Sequence, residues 1–341
     1  MSGHMKKISY SEAIRLTMMQ AMKRDDSVIA LGCGMHSPKG IFGTVSGLLE
    51  RFGPERVIET PIAENGMTGI AVGAALAGLR PVLIHQRFDF ILLALDQLIN
   101  HAAKWHYLSA GAFSVPLTVR CIIGHGWGQG AQHSQSFHAF LSNIPGLRVV
   151  MPSNGADAKG LLAASIYDNN PVVFIEHQSL YKSVCAVRTE WQTIPLGKAR
   201  IVNKGSDVTI VALSALVEEA HKAARVLRSA HRISAEVIDP RTVNPLDKDL
   251  VLSSLRKTGR MVIAEPGWRT CGFGAEIAAV CANEGHRDLR APVKRIAFPE
   301  APAPTSRYLD ALYHPGAADI VSACRDIVHG PGKRRVSYAR S

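Results

Sequence analysis

The chain has 341 residues, 47% hydrophobic and 20% charged, with a formal net charge of +11. That length favours two domains. No apolar run approaches the roughly 20 residues a membrane helix needs, and the start is not a signal peptide, so neither a membrane span nor secretion is expected.

Met1 to Met5 reads as an expression scar. Ser9 to Arg24 is expected as an amphipathic helix, with Ser9 and Glu12 in a capping-box pattern and Ile14, Met18 and Met22 on the core face. Strand Val28–Leu31 follows, ending in Gly32-Cys33-Gly34, then a short helix closing at Phe52 and strand Val57–Glu59. Glu64 sits at the next turn, as a partly buried acid or as a carboxylate favoured by a helix dipole. The helix after Gly66 is rich in glycine and alanine, which costs helix propensity unless something packs closely, either a partner subunit or a tight core.

Strand Pro81–Ile84 and a long helix over 91–109 come next, then buried strand Leu117–Ile123. Gly124 to Ser136 (GHGWGQGAQHSQS) has no periodicity and is a loop. Its alternate glycines suit left-handed backbone, and it presents His133 where open α/β sheets hold ligands. Strand Leu147–Met151, helix Asp157–Tyr167 and strand Val172–Glu176 complete an alternating unit, which argues for a parallel sheet covered by helices. Residues 183–204 are assigned as a linker between domains 6–182 and 205–330. The second unit has strands near 208–212, 235–238, 261–264 and 293–296 and helices near 215–228, 247–257, 273–283 and 319–328. Residues 331–341 form a basic tail holding the one basic cluster, Lys333-Arg334-Arg335. The other basic residues are spread out, so nucleic acid is not the expected ligand.

The six cysteines (33, 121, 185, 271, 281, 324) form no CxxC or zinc pattern, so a reduced, cytoplasmic chain is expected. His101, His106, His125, His133 and His138 fit no helical pair or zinc signature, so no transition-metal site is expected. Gly126-x-Gly128-x-x-Ala131 is a weak dinucleotide match, and the following strand ends Met151-Pro152-Ser153, without the ribose-binding carboxylate. His133 suits acid–base or hydrogen-bond work, or a polar structural role.

Several segments together carry a family resemblance. They are Phe52-Gly53-Pro54-Glu55-Arg56-Val57, Thr60-Pro61-Ile62-Ala63-Glu64, Ala71 to Pro81, Asp96-Gln97, Gly130 to Ser136, Pro145-Gly146-Leu147 and Gly272 to Ile277. From Ile8 to about Val328 the sequence resembles the beta subunit of thiamine-diphosphate-dependent 2-oxoacid dehydrogenases, the pyruvate, branched-chain and acetoin group. The resemblance implies an α/β fold: a pyrimidine-binding parallel-sheet domain and a transketolase C-terminal-like domain. It implies that Glu64 lies against N1′ of the cofactor's aminopyrimidine and shares its proton. Phe90 would stack on the pyrimidine, with Ile62 and Cys33 also in the cofactor pocket. His133 falls on the family's active-site histidine. His85, Arg87 and Gln132 fall by the substrate pocket. A structural potassium site, largely main-chain oxygens, falls on Leu117, Ser165, Ile166, Asp168 and Asn170.

No Gly-Asp-Gly motif for magnesium and diphosphate occurs in the sequence. An alpha subunit is therefore expected to hold the magnesium, in an α₂β₂ assembly with shared sites, and a lipoyl acyltransferase is a possible further partner. Three features depart from the family pattern. Cys33 stands where an acidic residue is usual. Ile84-His85-Gln86-Arg87 replaces the usual Glu-Ile-Gln-Phe, adding two basic groups that suit either a more anionic substrate or simple pairing at the surface. The charge of +11 suits work outside a multienzyme complex. A split transketolase-like carboligase, a stand-alone decarboxylase and a non-catalytic scaffold remain as alternatives.

Overall fold

The structure is a computed structural model that describes residues 4–330, so the basic tail 331–341 lies outside the described residues. In chain order the first half contains β1 (Met5–Ser9), α1 (Tyr10–Arg24), β2 (Val28–Gly32), α2 (Leu48–Phe52), β3 (Val57–Glu59), α3 (Glu64–Leu76) and β4 (Arg80–His85). After two irregular helical turns come α4 (Trp105–Leu108), β5 (Thr118–Ile123), α5 (His138–Ser142), β6 (Arg148–Val150), α6 (Gly155–Tyr167), β7 (Val172–His177) and β8 (Val184–Arg188). The second half contains β9 (Arg200–Asn203), β10 (Val208–Ala212), α7 (Leu216–His231), β11 (Ala235–Asp239), β12 (Thr242–Asn244) and α8 (Lys248–Thr258). It ends with β13 (Met261–Trp268), α9 (Phe273–Glu284), β14 (Lys294–Phe298), α10 (Arg307–Tyr313) and α11 (Ala317–His329).

The first sheet runs β12-β6-β7-β5-β4-β2-β3 and the second β14-β13-β10-β11-β9. Only the edge strands β12 and β9 run antiparallel within them. Both faces of the first sheet are buried, as parallel sheets require. Val28 and Ala30 join a core with Ile14, Met18 and Met22 of α1, while Ile29 and Leu31 join the core under α3. That second core continues through Val211, Ile238, Ile263 and Phe273, so one apolar body spans both halves of the chain. Ser9 caps α1, its Oγ accepting from the Glu12 amide at 3.2 Å.

Two sequence expectations are corrected, and the stretch between the two units proves to carry strands. Met5 is structural, the first residue of β1, which pairs antiparallel with β8. Residues 183–204 hold β8 and β9, each fixed by a strand far away in sequence. Residues 91–109 are not one α-helix. Phe88–Ala94 is a tight 3-10 turn and Gln97–Ala102 a π-helix, with the Ala103 amide reaching Leu98 O five residues back at 2.9 Å. The wider turn keeps Leu98, Ala102 and Ala103 all in the core, and π-turns are frequent at functional sites.

No helix among the described residues is long and apolar enough to cross a membrane.

Candidate active site

The carboxyl ends of β2, β3 and β4 surround a cavity of about 470 Å³, the crevice position expected of an open parallel sheet. Each strand contributes through the residue at or just beyond its end. Cys33 follows β2, Thr60 follows β3 and opens the turn to Glu64, and His85 ends β4. Glu64 is the first residue of α3, where the free amide groups of a helix favour an acidic side chain. The helix thus begins at Glu64, ahead of the start after Gly66 expected from sequence. Glu64 is half-buried, and Ile62 beside it is 81% exposed.

Phe90 and His133 meet across this cavity, ring centroids 5.3 Å apart and nearly perpendicular. Three residues from different parts of the chain, Glu64, Phe90 and His133, therefore line one space. His133 Nδ1 is buried without a hydrogen-bond partner in the chain. A buried orphan nitrogen costs free energy unless a ligand or water satisfies it, which marks His133 as poised for one.

The loop that brings His133 there behaves as its glycines demand. Gly126, Gly128 and Gly130 have φ of +79°, +72° and +63°, conformations that side chains disfavour. A Cβ on Gly130 would lie 2.3 Å from Thr305 Oγ1, so the loop also packs tightly against the second half of the chain. Asp89 anchors it, accepting from the Gln135 amide at 3.1 Å and from Gln135 Nε2 at 2.9 Å. Burial raises the Asp89 pKa against those hydrogen bonds and His133, which lower it. Asp89 is not among the residues expected from sequence. Its place beside Phe90 was the available signal.

Two basic residues behave differently from expectation. Burial lowers His85 to about 4, so it is neutral at physiological pH and adds no positive charge. Its Nε2 lies 3.4 Å from Thr68 Oγ1. Arg87 remains a cation, but its guanidinium donates to Gln129 Oε1 and lies 4.1 Å from the Trp127 ring centroid. Gln129 lines the cavity, while Gln132, the expected pocket residue, is exposed and does not. Gln86, also unforeseen, donates to Cys33 O at 2.6 Å and steadies the turn after β2. Burial first, then Glu59 and Glu64, raises the Cys33 thiol, which therefore stays neutral rather than mimicking the usual acid.

His85 gives a pH prediction. Its unfolded pKa is near 6.5 and its folded value about 4, so the unfolded chain binds more protons between them. Its contribution is full above 6.5 and declines as pH falls towards 4, by on the order of 3 kcal/mol. His85→Gln should flatten that acid limb in urea titrations at pH 4.5 and 7.5. An unchanged pH slope would contradict the neutral assignment.

Four of the five expected potassium positions fall at the end of α6 and in the turn to β7, and Leu117 immediately precedes β5. The Ile166 and Asp168 carbonyls accept from Arg80 at 3.1 and 3.4 Å, and Leu117 O accepts from the Val172 amide. Asp168 pairs with Arg148 at 2.8 Å and accepts from the Asn170 amide, while the Ser165 hydroxyl turns back to Leu161 O.

Both halves of the chain match known domains. Residues 6–184 match the transketolase pyrimidine-binding domain and residues 197–320 the transketolase C-terminal domain. The chain is 42% identical over 322 residues to the pyruvate dehydrogenase E1 component subunit beta of Rickettsia bellii, covering 94% of this chain and 99% of that one. It is 41% identical over 336 residues to the acetoin:2,6-dichlorophenolindophenol oxidoreductase subunit beta of Bacillus subtilis, covering 95% and 98%. A solved split-gene transketolase, described as an inactive beta4 tetramer, shares the fold with a TM-score of 0.78 at 22% identity over 94% of this chain and 98% of that chain. The chain belongs to the beta-subunit family of the thiamine-diphosphate-dependent 2-oxoacid dehydrogenases, built from transketolase pyrimidine-binding and C-terminal domains.

Proposed function

We propose that this chain is the pyrimidine side of a two-subunit enzyme that decarboxylates a 2-oxoacid and transfers the acyl group to a lipoyl carrier, or cleaves acetoin at the same site. The carrying observation is the convergence of Glu64, Phe90 and His133 on one cavity. The residues present fit thiamine diphosphate: a carboxylate for N1′, an aromatic ring for the pyrimidine face and an apolar wall from Ile62 and Met67. When bound, the cofactor supplies a thiazolium that accepts the electron pair released with carbon dioxide.

In this reading Glu64 holds a proton at N1′. Phe90 fixes the plane of the pyrimidine. His133 offers its unpartnered Nδ1 side to the substrate or the incoming carrier. Arg87, pinned by Gln129 and Trp127, sets the charge at the rim. Magnesium and the diphosphate belong to an alpha subunit, because no Gly-Asp-Gly occurs in this sequence. Potassium would join the Ile166 and Asp168 carbonyls, each of which keeps a second lone pair beside Arg80. All six cysteines are free, which suits a reducing compartment such as the cytoplasm. A split transketolase-like carboligase would need His85 and Arg87 to grip a sugar phosphate, and a neutral His85 weakens that reading.

The alpha partner would cover the outer face of α3. Gly66, Ile70 and Gly73 lie on that face; Ile70 is 60% exposed, and a Cβ on either glycine would meet nothing within 4 Å. The core alternative for these glycines is therefore weakened, and close approach by a second chain is favoured. Gly73→Leu should leave the isolated chain folded, with the helix stabilised by roughly 0.5–1 kcal/mol. It should abolish co-purification with the alpha partner. Intact assembly of the variant would remove α3 from the interface.

The activity itself is tested by co-expressing the chain with its alpha partner and assaying pyruvate, branched 2-oxoacids and acetoin with and without lipoamide. Failure to bind thiamine diphosphate in that complex would overturn the proposal.

A further inference from the structure

A second cluster lies away from the thiamine cavity, where the glycine loop meets the second half of the chain. His125 comes from the loop, Asp310 from α10, and His314 caps the end of α10. His125 Nδ1 lies 2.9 Å from Asp310 Oδ2, and His314 Nε2 lies 3.3 Å from Asp310 Oδ1. The two imidazole rings stack with centroids 3.7 Å apart. One nitrogen from each histidine and one carboxylate oxygen all lie within 4.8 Å of one another. His314 Nε2 is buried and, although near Asp310, makes no hydrogen bond. Sequence spacing hid this cluster because His125 stands 185 positions before Asp310.

We propose that His125, Asp310 and His314 bind a borderline divalent transition metal of the zinc class, which ties the His133-bearing loop to the second half of the chain. Two imidazoles and one carboxylate form a donor set suited to zinc, with a fourth position left open. In a tetrahedral site with metal–ligand bonds of roughly 2.0–2.2 Å, donor atoms stand about 3.3 Å apart. The 2.9 and 3.3 Å separations run to the two different oxygens of Asp310, and the ligand atoms stand within 4.8 Å of one another, so the stacked rings must turn out of parallel and draw in to hold the ion.

The surroundings support the assignment. A cavity of about 460 Å³ adjoins the cluster and gives an entry path for the ion and room for a water ligand. His177 walls the site, its ring 6.0 Å from that of His125. It is not itself a ligand. Its Nδ1 accepts from the Ser179 amide at 3.3 Å, which leaves the ring proton on the other nitrogen. The site also sits where a tie would matter. His125 and His133 belong to the same loop, eight positions apart, and Gly130 between them already presses on Thr305.

The test uses the full chain, stripped with a chelator and titrated with zinc chloride against a chromophoric competitor. One zinc per chain is expected, with cobalt giving the intense visible absorption of a tetrahedral site. His314→Ala should weaken uptake at least 100-fold, and so should His125→Asn, a surface-loop change that spares the fold if the first variant is unstable. Hydrogen exchange should show the loop 124–136 gaining protection on zinc addition in the wild type and not in either variant. Equal zinc uptake by wild type and both variants, or no stoichiometric uptake at all, would overturn the site. Stoichiometric zinc without loop protection would overturn the tie.

Discussion

Glu64→Gln should lower decarboxylation by the reconstituted two-subunit enzyme by about a thousandfold or more, while binding of thiamine diphosphate weakens only a few-fold. The reasoning is one of charge and place. The amide keeps the size and polarity of the carboxyl group, so the pocket at the start of α3 keeps its shape. It cannot give or take a proton, and a positioned acid–base group typically contributes 10²–10⁴-fold. The effect should therefore fall on kcat rather than on KM, the signature of an interaction made only in the transition state. His133→Ala offers the contrast. Its Nδ1 is buried without a partner, so its loss should fall mainly on substrate use and acyl transfer. A Glu64→Gln enzyme within tenfold of wild type would remove the proton-sharing role.

The largest loss of stability is expected at a different carboxylate. Glu176 of β7 and Arg120 of β5 form a fully buried ion pair, with Arg120 Nε 2.5 Å from Glu176 Oε1 and both side chains at 0% exposure. The second carboxylate oxygen accepts from an Arg120 NH2 group at 3.0 Å and from the Tyr181 hydroxyl at 2.9 Å. Glu176→Gln leaves the guanidinium charged and buried without a counter-ion. The expected cost is about 3–5 kcal/mol, the range for breaking one side of such a pair. Replacing both partners, Arg120→Met with Glu176→Leu, should recover most of that loss, because the desolvation cost of two charges then disappears. Chemical denaturation of the single and double variants measures both numbers. A single variant within 1 kcal/mol of wild type would show that water or a rearranged neighbour compensates the charge.

The fold was legible wherever a segment's own pattern determines its state. β5 and β7 are short β-branched, mostly apolar segments that suit burial on both faces, broken only by Arg120 and Glu176 with their polar end residues, and α1 carries its cap at Ser9 and its core stripe in sequence. What escaped was decided by distant partners. β1, β8, β9 and β12 are short or half-exposed, and each is a strand only because another strand lies beside it. The 91–109 segment misled for a related reason. Its apolar spacing resembles an α-helix, and only the packing of Leu98, Ala102 and Ala103 forces the wider turn.

The site was legible through family likeness more than through chemistry. Glu64, Phe90 and His133 line one cavity, but Gln129 takes the place expected of Gln132, because the glycine turns rotate the loop between them. The charge of His85 could not be read from its letter. It depends on the burial that the end of β4 imposes.

β12 carries one more consequence. It belongs by position to the second half of the chain, yet it closes the edge of the first sheet by pairing with β6, and Asn244 Nδ2 donates to Leu147 O at 2.9 Å. The covalent order and the hydrogen-bonded order of the two halves therefore disagree. A chimaera that exchanges the C-terminal half between relatives at residue 204 exchanges this strand as well. The graft must match β6 of its host, or an open edge is left where other chains can add. Recombination within this family is thus constrained at Thr242–Asn244, well away from any catalytic group.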